Sequence, residues 1–260
     1  MHTDITRLDL RLRRRSATGY AVGMALYTLI VVALYPSFKN STSLDNLSGS
    51  TAAALFGVTD KLTSPGGWLN GNIYGNFFPL IMLLLTIGYG AACLAGQDED
   101  GTLALIATLP ARRRAILLQK VLAMAVQAIL LSAAVAVCVM AGHGFQLNIA
   151  AGNTVAISIA VVLMGLDFGL VTMAVGALTG RRGTALGVAS GLAAASYLLS
   201  MLATTITAIR PGRYLSLIYW SVGNDQISKG VSPGDFAVLL AVGLAALLAA
   251  NAAFARADLN

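Results

Sequence analysis

The chain has 260 residues, 57% of them hydrophobic and only 11% charged, with a mean hydropathy of +0.77 and a formal charge of +6. A soluble domain carries about 25% charged residues, so this composition excludes a water-soluble skin. Apolar runs of about 20 residues each point instead to an all-α membrane protein that crosses the bilayer several times. The basic excess is read through membrane topology, not nucleic acid.

The chain opens on a basic stretch, residues 3–15, that reads as an amphipathic helix on the membrane surface. Ile5, Leu8 and Leu12 fall on one face, and Arg7, Arg11 and Arg14 on another. The apolar run that follows is longer than the 7–15 residues usual in a cleaved signal peptide, so retention is expected. Six spans are predicted within a single transmembrane domain over 1–260, at about 18–35, 73–95, 116–141, 154–179, 184–209 and 236–254. Pro79 alone among the six prolines falls inside a span, near its start, where a kink is expected. Between spans one and two lies a long polar loop, 37–72, with a small apolar island at 51–58.

Twelve of the 17 Lys and Arg fall on one side: Arg7, Arg11, Arg13 to Arg15, Arg112 to Arg114, Lys120, Arg181, Arg182 and Arg256. Lys39, Lys61, Arg210, Arg213 and Lys229 fall on the other, so both termini are expected in the cytoplasm.

The cytoplasmic connection between spans two and three is the densest charged stretch. Asp98, Glu99 and Asp100 precede Gly101, favouring the N-terminal end of a short helix there. Leu105, Ile106 and Leu109 share one face of that helix, Pro110 stops it, and Arg112–Arg114 hold the next span at the headgroups. A solvated loop has no need of three large apolar residues on one face, so a partner is expected.

Span four carries Asp167, an intramembrane acid flanked by Gly165 and Gly169, a small-x-x-x-small pair that permits close helix approach. Two readings stand for Asp167: a structural carboxyl, protonated or bonded to a neighbouring hydroxyl, or a group on a substrate path. Span five carries Gly183, Gly187, Gly191 and Ala195 at spacings of four, a flat ridge for helix packing within the chain or between subunits. The segment before the last span contains "YLSLIYW", apolar yet too short to span and bracketed by Pro211-Gly212 and Pro233-Gly234. It reads as an outer re-entrant hairpin or an interfacial aromatic belt.

Cys93 and Cys138 lie within apolar runs and read as small hydrophobes, and His2 and His143 lack ligand-spaced neighbours, so no metal site is expected. No phosphate-loop motif, G-x-S-x-G elbow or H-E-x-x-H pair occurs in the sequence.

The loop resembles that of the type-2 permease family of ATP-binding-cassette (ABC) transporters. An acid (Glu99), Gly101-Thr102, an apolar helix, Leu109-Pro110, the arginines and a closing lysine (Lys120) stand in the family's order. The tail "FARADLN" is similar to the family's closing pattern through Phe254, Arg256, Asp258 and Leu259. The resemblance implies a permease subunit with no motor of its own, paired with an identical or related permease and with two ABC ATP-binding subunits. Those subunits, not this chain, would bind ATP and Mg. It also implies docking through Glu99, Gly101, Thr102, Leu105, Ile106, Leu109 and Pro110. Most relatives export their substrates. Alanine-rich usage with arginine over lysine points to the inner membrane of a high-GC bacterium. The competing readings are a secondary transporter, which would show inverted repeats or several intramembrane charges, and a non-transporting scaffold or sensor.

Overall fold

The computed structural model describes residues 4–41, 61–101, 113–223 and 225–256, and every regular element among them is helical. Six helical stretches are long and apolar enough to cross a membrane: Ile5–Phe38, Pro65–Glu99, Arg113–Phe145, Ala151–Thr179, Arg182–Ala203 and Pro233–Arg256.

The first, α1 (Asp4–Phe38), is one uninterrupted helix of 35 residues. The separate surface helix expected over 3–15 does not form, because no proline or glycine breaks the Leu- and Arg-rich run and both residues favour helix. At ~1.5 Å per residue the rod is about 52 Å long, beyond the ~30 Å of a hydrocarbon core. The expected apolar face is divided. Ile5, Thr6 and Asp9 are buried, whereas Leu8 and Leu12 point outward.

The second span is interrupted. It runs through α2 (Pro65–Leu69), a π-turn at Asn70–Tyr74, α3 (Phe77–Ala91), a second π-turn at Ala92–Gly96 and α4 (Gln97–Glu99). It begins before the expected residue 73, since Ser64 accepts the Gly67 amide at 3.1 Å and Pro65 sits at the first helical position. The break precedes Pro79, which lies in the first turn of α3 where its missing N–H costs nothing. The apolar island at 51–58 lies outside the described residues.

The third span is α5 (Arg113–Ala141), and the fourth is α6 (Ala151–Thr179), which occupies the centre of the bundle. Its glycines seat the neighbours. A Cβ on Gly90 would fall 2.6 Å from the Gly169 carbonyl oxygen, and one on Gly165 would fall 2.5 Å from Met82 Cγ. In lipid, where burial of apolar surface gives no gradient between helices, such close backbone approach supplies the packing contacts. Gly180, at φ +62°, ends α6 in a left-handed turn and α7 (Arg182–Thr205) begins two residues later.

Beyond α7 the chain forms a 3₁₀ segment (Thr207–Leu215), α8 (Leu217–Val222) and α9 (Gln226–Lys229). Asn153, near the start of α6, donates to the carbonyls of Ile227 and Ser228, while the buried Ser221 hydroxyl lies 3.1 Å from Met164 Sδ. Met164 lies about 16 Å further along α6 at ~1.5 Å per residue, so this segment packs against α6 over that length. Of its aromatics, Tyr214 stays exposed. The last span, α10 (Pro233–Arg256), starts with a reciprocal cap. The Ser232 amide donates to Asp235 Oδ2 at 3.0 Å and the Asp235 amide to Ser232 Oγ at 3.2 Å.

Candidate functional site

The helices that flank the charged connection, α4 and α5, meet at a buried polar cluster at the arginine-rich end of the bundle. Lys120, fully buried on α5, donates to Gln97 Oε1 at 2.6 Å and lies 3.7 Å from Asp9 Oδ2. Asp9 also accepts the Tyr89 hydroxyl at 2.7 Å, and the Arg13 guanidinium lies 4.8 Å from the Tyr89 ring centre. One turn from Asp9, the Ile5 amide donates to Gln119 Oε1 and the Thr6 hydroxyl to the Gln119 carbonyl. A buried ammonium costs several kcal/mol unless paired and hydrogen-bonded, and here both conditions are met. Lys120 therefore ties both ends of the 97–120 connection to each other and to α1. The sequence pointed to a headgroup role for this side of the chain. It did not show that Lys120 turns inward, because its partners come from distant helices.

Among the expected docking residues, Glu99 and Gly101 are described. Glu99 accepts the Arg182 amide at 2.9 Å, so its carboxylate sits at the start of α7 where the helix dipole favours negative charge. Gly101 adopts φ +68° and closes the helical run begun at Gln97. Thr102, Leu105, Ile106, Leu109 and Pro110 lie outside the described residues, as does the tail from 257. At the other rim of this end, Arg113 Nη1 donates to the Phe254 carbonyl at 3.3 Å, tying α5 to the C-terminal turn of α10.

The ridge of span five faces outward. A Cβ added to Gly183, Gly187 or Gly191 would meet nothing within 4 Å, and Ala195 is exposed. Packing among the described residues does not use it.

Asp167 is buried and faces α10, where a Cβ on Gly243 would fall 2.6 Å from its Oδ1. Its Oδ2 is buried, and no donor among the described residues reaches it. The hydroxyl partner of one sequence reading is therefore not found there.

At the opposite end, a cavity of about 220 Å³ lies between α7 and the segment that follows it, lined by Arg210, Arg213, Tyr197 and Asn70. The Arg213 guanidinium sits 4.9 and 5.0 Å from the ring centres of Tyr214 and Tyr219, and Nη2 donates to the Tyr214 hydroxyl at 2.9 Å. That hydrogen bond raises the guanidinium further above its ordinary value, so its charge is fixed. An apolar groove of about 490 Å³ runs between α3 and α7. No cluster of three His, Cys, Asp or Glu suited to a metal ion occurs among the described residues.

Six long apolar helices, the glycine-notched α6 at their centre, define a multi-pass membrane protein. A family profile described as ABC-2 family transporter protein matches residues 3–259, and the chain belongs to that family. It is accordingly an ABC permease subunit, a membrane component that works with ABC ATP-binding subunits. Comparison with curated proteins returned no match.

Proposed function

We propose that this permease works as a dimer in a bacterial inner membrane, with both termini cytoplasmic, and exports its substrate. It is driven by two ATP-binding subunits, which hold the ATP and Mg. They dock on the 98–110 connection, with Leu105, Ile106 and Leu109 entering a groove on the ATPase. The observation that carries this reading is the Lys120 cluster. The connection is anchored at both ends by a buried cation bonded to Gln97 and paired with Asp9, so a push on the loop reaches three helices together. The outward glycine ridge of α7 supports a second permease on that face.

The test is Leu105→Asp against Glu99→Gln, read by co-purification with the ATPase and by ATP turnover of the complex. Losing one buried leucine costs roughly 1.5–3 kcal/mol, a rim charge about 0–1. Leu105→Asp is expected to abolish stable association, while Glu99→Gln leaves most of it. Wild-type association and turnover in Leu105→Asp would remove the docking role.

A further inference from the structure

The basic cavity of the far end and the apolar groove adjoin along α7. Tyr197 lines both, and the lining residues of α7 continue from Ala193 and Ala194 in the groove to Ser200 and Met201 in the basic cavity. The groove extends from Leu186 to Leu198 along α7, about 18 Å at ~1.5 Å per residue. It begins one turn from the arginine-rich start of α7 and is about as long as half, about 15 Å, of a ~30 Å hydrocarbon core. Its walls are Leu, Ile, Ala and Gly, apart from Ser190 and Tyr197.

The basic cavity begins where the groove ends. The Arg213 charge is held by aromatic faces and a phenol, and its Nε is buried with no hydrogen-bond partner among the described residues. Arg210 lines the same wall and is exposed. The one acid of the cavity, Asp225, lies 3.9 Å from Lys229 Nζ. The cavity therefore offers an anion two guanidinium groups at the mouth of a chain-length apolar slot.

We propose that the two adjoining cavities bind an anionic amphiphile, with its acyl chain between α3 and α7 and its phosphate-type headgroup against Arg210 and Arg213. Resting on the permease reading above, this names the class of cargo. A soluble anion would leave the groove unused, and a neutral lipid would leave the guanidinium groups unpaired.

The experiment is native mass spectrometry of the solubilised full chain with phosphatidylglycerol and phosphatidylcholine of the same acyl chains. Inorganic phosphate serves as the head-only probe. Phosphatidylglycerol is expected to bind about tenfold more tightly than phosphatidylcholine, the scale of one or two charge-assisted hydrogen bonds. Arg210→Gln with Arg213→Gln brings the ratio to about one, Arg213→Lys keeps most of it, and Ala194→Phe, at an exposed position in the groove, weakens both lipids. Phosphate alone does not compete. Equal binding of the two lipids by wild type, an unchanged ratio in the double variant, or full competition by phosphate overturns the proposal. So does an Ala194→Phe protein that loses self-association yet binds lipid normally, since a second copy would then fill the groove. With the ATPase subunit bound, phosphatidylglycerol raises ATP turnover, and a flat response overturns the cargo assignment. Failure of the complex to assemble counts against the permease reading alone, because the binding ratio needs no ATPase.

Discussion

Asp9→Asn isolates the charge at the base of the cytoplasmic connection. Asparagine keeps an oxygen to accept the Tyr89 hydroxyl and changes the volume little, but it removes the carboxylate 3.7 Å from Lys120 Nζ. Lys120 is 0% exposed, so its ammonium would be left with the neutral Gln97 oxygen as its described partner. Breaking a buried pair from one side costs about 3–5 kcal/mol, a large part of a native stability of roughly 5–15. For a chain of this size that is a fall in Tm of about 6–20 °C. Lys120→Met alone should cost comparably, by stranding Asp9. The double variant Asp9→Asn/Lys120→Met should regain most of the loss, since an apolar replacement of a buried pair is often neutral. The assay is thermal unfolding of the four proteins in one detergent, followed by loss of the monodisperse chromatographic peak. A single variant within a degree or two of wild type, or a double no better than the worse single, would show that the pair does not hold this end together.

Gly243→Ala should destabilise by roughly 1–3 kcal/mol, because the new methyl meets Asp167 Oδ1 at 2.6 Å. Combining it with Asp167→Ala should restore the unfolding temperature, and failure of that rescue would place the strain elsewhere. Gly187→Leu and Gly191→Leu should leave the fold of the single chain intact, since nothing lies within 4 Å of either Cβ. Cysteine cross-linking between copies should fall, and unchanged cross-linking would remove the ridge from the subunit interface. Glu99→Gln should weaken only the start of α7, accelerating amide exchange at Arg182 roughly two- to five-fold for a loss of about 0.3–1 kcal/mol, with exchange elsewhere unaltered.

The spans were legible because each is a long apolar run. The observed ends of the third, fourth and sixth spans lie within a few residues of those read from composition. The glycines around Asp167 were legible too, and Gly169 does meet a neighbouring backbone, that of Gly90. What sequence missed depends on partners far apart in the chain. Ile5, Leu8 and Leu12 marked an apolar stripe, but the bundle buries only its Ile5 edge, because Asp9 beside it finds Lys120 and Tyr89 there. Glu99 read as a charge at the start of a loop helix, and only the tight turn at Gly180 brings the Arg182 amide to it. The Pro-Gly pairs marked the ends of the 211–234 segment, whereas its packing along α6 follows from Asn153 and Met164, which carry no signal of their own.

The Lys120 cluster also sets an order of assembly during synthesis. Asp9 leaves the ribosome with the first span and Tyr89 with the second, but Lys120 emerges only with the third. Until then the carboxylate has no ammonium to face, and the arginine-rich end of the nascent hairpin cannot lock. The opposite end can close earlier, because Phe38 stacks on Trp68 with ring centres 5.5 Å apart and Trp68 Nε1 donates to the Val31 carbonyl at 2.9 Å. The first two helices can thus zip from their far tips, and the loop-bearing end is fastened last, when translation delivers its cation.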